Sequence, residues 1–127
     1  MSDEQPVRRR SGPLTILVGQ TELTLVSSEV NVLIDGMREW RQMLARQLEQ
    51  VRRDKPQALE ATTRRIGRIE QLEELLAGTS SRLGDAPLTF DADQSDLVQE
   101  TLGEISGYQR GELTGGLKDL RMALYRL

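Results

Sequence analysis

The stretch VNVLIDGMREWRQMLARQLEQVRRDKPQALEATTRRIGRIEQLEELL, residues 30–76, decides the fold. In its first half Val30, Leu33, Met37, Trp40, Leu44 and Val51 recur at helical intervals, and Ile34 and Leu48 widen the stripe. Gln47 interrupts it, while Arg38, Glu39, Arg41, Arg46, Glu49 and Arg52 fall on the remaining surface. Ser27 or Ser28 is the expected cap, with Glu29 as an acidic first turn, so the spacing predicts a helix over 28–53. Past Arg53 the pattern restarts as Leu59, Thr62, Ile66, Ile69, Leu72 and Leu76, a second helix over 56–77. Asp54 and Gln57 read as its capping box beside Pro56. So short a turn makes the two helices antiparallel neighbours, and the apolar edges they leave over require cover from elsewhere in the chain.

Upstream, Leu14 to Val26 reads as a β-hairpin with strands at 14–18 and 21–26. A two-residue turn at Gly19-Gln20, with glycine supplying the positive φ, sets Val18 opposite Thr21, Ile16 opposite Leu23 and Leu14 opposite Leu25. Thr15 then faces Thr24, and Leu17 faces Glu22, on a half-solvated side. Ahead of the hairpin, MSDEQPVRRRSG (1–12) reads as a disordered basic tail, leaving 13–127 as one α+β domain.

Downstream, a third short strand is expected at 87–90. Asp91 and Gln94 form another capping box for a helix over 92–106 carrying Leu97, Val98, Leu102 and Ile105. Gly103, Gly107, Gly111 and Gly115 recur every four residues. On a continuous helix they would form a ridge for close packing. Each glycine, however, costs a helix interior about 1 kcal/mol relative to alanine, which favours a break near Gly107 to Gly111. A last helix over 112–126 follows, with Leu113, Leu117, Leu120, Leu124 and Leu127 as its stripe. The fold class is therefore α+β, an N-terminal hairpin packed on a helical hairpin plus one or two C-terminal helices.

Composition closes several functional routes. The 127 residues include no histidine and no cysteine, and they show no phosphate-cradling glycine loop and no metal-ligand spacing. Asp91, Asp93 and Ser95 resemble the start of a calcium loop, but Asp96 stands where its turn glycine belongs and Leu102 where its bidentate glutamate belongs. No catalytic, cofactor-binding or metal-binding residue is expected. The net charge of −3 conceals an acidic run from Asp85 to Glu104, and no apolar run approaches bilayer length. A cytoplasmic protein with no membrane partner is expected.

What remains is a noncatalytic protein-interaction module, an adaptor or assembly factor acting as a homo-oligomer, with Trp40, Leu113, Leu117, Leu120 and Leu124 as its candidate docking residues. The alternative is a nucleic-acid-binding accessory protein. It would use Arg8, Arg9 and Arg10 with a basic turn built from Arg52, Arg53, Arg64 and Arg65. With no aromatic platform beside these cations, nucleic acid is the less favoured partner.

Overall fold

The computed structural model describes residues 9–78, 87–109 and 115–127, with backbone alone at 106–109. Strands β1 (Leu14–Val18) and β2 (Thr21–Leu25) lead into helix α1 (Ser27–Asp54), and a single 3-10 turn at Pro56–Ala58 opens α2 (Leu59–Gly78). Strand β3 (Leu88–Thr89), α3 (Ala92–Gln109) and α4 (Gly115–Tyr125) follow. The fold is α+β, a three-stranded sheet in the order β2-β1-β3 on four helices.

The hairpin takes the expected register, from Leu14 opposite Leu25 to Val18 opposite Thr21, and Gly19 turns it at φ +61°. Alternation then sends Leu14, Ile16, Val18 and Leu25 into the core, while the Thr15 and Thr24 hydroxyls meet on the outer face at 3.3 Å. Strand β3 lies parallel to β1, with Ile16 opposite Leu88, so β1 is central. The core unites these strand residues with Val30, Leu33, Ile34 and Met37 of α1, Ile69, Leu72 and Leu76 of α2, and apolar residues of α3 and α4.

Two charged residues, Glu73 and Arg10, are buried in this core. Arg41, expected on the solvent side of its helix, instead donates to Glu73 through Nε (2.6 Å to Oε2) and Nη2 (3.1 Å to Oε1). The Glu73 side chain is only 1% exposed. Its hydrogen bond holds the Arg41 guanidinium above its usual pKa, so the cation persists throughout the neutral range. Removing one member of so buried a pair costs about 3–5 kcal/mol. Arg10 is the second. Its side chain donates to the carbonyls of Gly12, Pro13 and Leu76, and its backbone exchanges hydrogen bonds with the Asn31 side chain. The expected solvated tail therefore does not describe Arg10, which caps the C-terminal end of α2, where a cation suits the helix dipole. Burial lowers its pKa from a value so high that it stays charged.

The caps differ from expectation at two sites. Neither Ser27 nor Ser28 caps α1, because β2 runs so directly into the helix that Val26 is the capping residue; its N–H donates to Glu29 Oε1 at 2.9 Å. Asp54 closes α1 rather than capping α2, and Lys55 takes the bend with its N–H on the Val51 carbonyl. The Asp91–Gln94 box forms reciprocally, at 2.7 and 2.9 Å.

The glycine ridge resolves into separate roles. Helix α3 continues past Gly107 to Gln109 and α4 starts at Gly115, while Gly111 and Glu112 lie outside the described residues. Gly115 has φ +58°, and the Gly116 N–H donates to Glu29 Oε2 at 2.7 Å, so one carboxylate serves the N-termini of both α1 and α4. A Cβ on Gly116 would come within 2.6 Å of Glu29 and of Leu25, whereas one on Gly103 meets only open space. Gly116→Ala is thus expected to lower unfolding stability by about 1–3 kcal/mol, and Gly103→Ala to raise it by up to about 1 kcal/mol. Urea denaturation of the two variants beside the parent checks both.

Candidate protein-docking groove

Helix α1 runs about 42 Å at 1.5 Å per residue, and only part of its circumference is spent on the core. Its buried residues, Val30, Leu33, Ile34 and Met37, all belong to the N-terminal half. Leu44, Leu48 and Val51 farther along are half-buried between α1 and α2. On the opposite flank α3 crosses closely at Gly36, where a Cβ would lie 3.0 Å from Ile105 and 3.1 Å from Thr101. That approach explains a glycine inside the strongest helix of the chain, despite its cost there.

The crossing leaves a groove of about 550 Å³ along the outer face of α1. Its apolar floor is Val32, Gly36, Trp40 and Met43, with Ile105 as a wall, and Asp35, Glu39, Arg46 and Glu104 carry charge around it. Asp35 is bridged by Arg9 at 3.2 Å and by Arg38 at 3.1 Å. By contrast, no ion pair joins Glu39, Arg46 or Glu104 to another described residue. Trp40 is half-buried, packed on the core by one edge and open to the groove by another, and the Arg65 guanidinium lies 5.7 Å from its ring centre. The indole is thereby held in place on a surface, an arrangement common at protein interfaces.

The remaining expected docking residues lie elsewhere. Leu117, Leu120 and Leu124 are buried, because α4 lays its stripe over the sheet and α3. They are core, and Leu113 is outside the described residues. The exposed apolar side chains near this end are Met122, Tyr125 and Leu127, with Arg121 over the Tyr125 ring at 5.8 Å.

The cations of the nucleic-acid reading are largely occupied. Arg9 pairs with Asp35, Arg10 is buried, Arg52 pairs with Glu49 at 3.3 Å, Arg64 with Glu60 at 3.7 Å and Arg65 with Glu100 at 3.8 Å. Arg68 bridges to Asp93. Arg53 stands on the exposed hairpin end, and Arg8 is outside the described residues. Most of these cations therefore have an acidic side chain within 4 Å. Among the described residues no cluster of acidic side chains has the grouping to hold a metal ion, and no helix is long and apolar enough to cross a membrane. Comparisons with protein-family models, with curated proteins and with solved structures find no match to the chain.

Among the described residues, Trp40 is the one candidate docking residue of the sequence that lines this groove. The available signal was a second stripe, Val32, Gly36, Trp40 and Met43, offset around α1 from the core stripe. Because the groove is not core, Met43→Ala is expected to change stability by no more than about 0.5 kcal/mol, whereas Met37→Ala, at a fully buried position, should cost about 2–5 kcal/mol. Chemical denaturation of both variants tests the distinction.

Proposed function

We propose that this chain is a noncatalytic protein-interaction module, an adaptor or assembly factor, that docks protein along the groove of α1. The observation that carries the reading is the joint presence of an apolar floor at Val32, Trp40 and Met43 and of charges at Glu39, Arg46 and Glu104 without ion-pair partners among the described residues. An apolar centre with a charged margin is the composition of a docking patch, in which the floor contributes burial and the rim selects the partner. The single tryptophan sits where a docked helix or strand would cover it. At the hairpin end Arg52, Arg64 and Arg65 each have an acidic side chain within 4 Å, so the surface there is mixed in charge rather than uniformly basic.

A photo-crosslinking residue placed at Met43 in the full chain, expressed in its native cells, is expected to give discrete protein adducts. The same residue at Thr24, on the outer face of the sheet, is expected to give none. Absence of adducts from position 43, or equal labelling from both positions, would contradict the proposal.

A further inference from the structure

We propose that the occupant of the groove is a second copy of this chain, with the two α1 helices antiparallel about a two-fold axis between Gln42 and Met43. This rests on the reading of the groove as a protein-docking site and names the partner.

The first ground is charge. Glu39 and Arg46 both line the groove and are one heptad apart, so they share a face of α1 but lie about 10 Å from each other along the helix. That is too far for a salt bridge within the chain. A two-fold axis midway between them sets Glu39 of each copy against Arg46 of the other and forms two ion pairs from four charges that are otherwise unpaired among the described residues. A parallel arrangement would bring like charges together. Among the lining residues without an ion pair, the sign of charge also changes along the groove, from Glu39 and Glu104 to Arg46. Antiparallel docking places each end against its opposite.

The second ground is shape. The α3 wall, Glu104 and Ile105, stands beside Gly36 in the N-terminal half of the groove. The same groove is lined in the C-terminal half of α1 by Met43 and Arg46, and α1 also packs along α2. The same midpoint that joins Glu39 to Arg46 sets Asp35 against Gln50, and Val32 against Arg53, whose aliphatic stem suits an apolar neighbour. Among the groove residues, Glu39 then meets Arg46 and Gln42 meets Met43, reciprocally, as a closed two-fold interface requires.

Sedimentation equilibrium of the full chain, from about 1 µM to about 1 mM, tests this with the parent, Glu39→Arg, Arg46→Glu and an equimolar mixture of the two variants. Circular dichroism confirms that each is folded. The parent is expected to dimerise reversibly, each single reversal to weaken dimerisation by about tenfold or more, and the mixture to regain it, since both inter-chain contacts are then opposite in charge. A parent that stays monomeric throughout, single variants as dimeric as the parent, or a mixture no tighter than its components would each overturn the proposal.

The orientation has its own test, because the chain lacks cysteine. Glu39→Cys and Arg46→Cys, mixed and oxidised, are expected to give the mixed disulfide; preferential 39-to-39 linkage would overturn the antiparallel arrangement. A monomeric parent that still yields adducts from Met43 to an unlike protein overturns self-docking alone. A monomer with no adducts overturns the docking function as well.

Discussion

The Glu73 carboxylate lies inside the protein, and the arrangement around it follows from the need to compensate that charge. A buried carboxylate is costly unless a cation meets it with good geometry, and the two-pronged contact from Arg41 supplies that geometry. An arginine fork fixes direction as well as distance, so the pair locks α1 and α2 in one axial register. With one face of α1 committed to α2 and its N-terminal half closed by α3 at Gly36, the face carrying Trp40 and Met43 is turned outward. The groove is a geometric consequence of how the helical pair is pinned.

Two smaller devices hold the rest of the chain to that pair. Arg10 ties the segment before β1 to the last turn of α2 through the Leu76 carbonyl. Glu29 joins the start of α1 to the start of α4 by accepting from Val26 and Gly116. Both use a charged side chain on orphan backbone groups of a helix end, and both connect parts distant in sequence. The bare glycines at 115 and 116 are what let α4 come close enough for its stripe to close the core over β2.

Much of this fold was legible. The hairpin register follows from a two-residue turn and an alternation of period two, which admit no other pairing without exposing Ile16 and Leu25. The helices follow from their stripes, and the Asp91–Gln94 box from its own side chains. Long-range closures were harder to read. Arg10 looks like one member of a basic run until Asn31 and Leu76 are brought beside it. Gly36 looks like a flaw in a helix until Ile105 crosses it. The Arg41–Glu73 pair did leave a trace. The two charges stand sixteen residues either side of Gln57, in the turn that joins the helices. Of the candidate docking residues, Trp40 lines the groove, while the leucines of α4 were drawn into the core by a sheet that needed cover.

We propose that this protein meets protein on the outward face of α1, and a second copy is the simplest bearer of the complementary charges. Amide and indole chemical shifts of the uniformly labelled chain, recorded on dilution from high to low concentration, address it residue by residue. Shifts are expected along Val32 to Gln50 and at the Trp40 indole, with the outer face of the sheet at Thr15 and Thr24 unmoved. Shifts centred instead on Met122, Tyr125 and Leu127, or a spectrum independent of concentration, would contradict it.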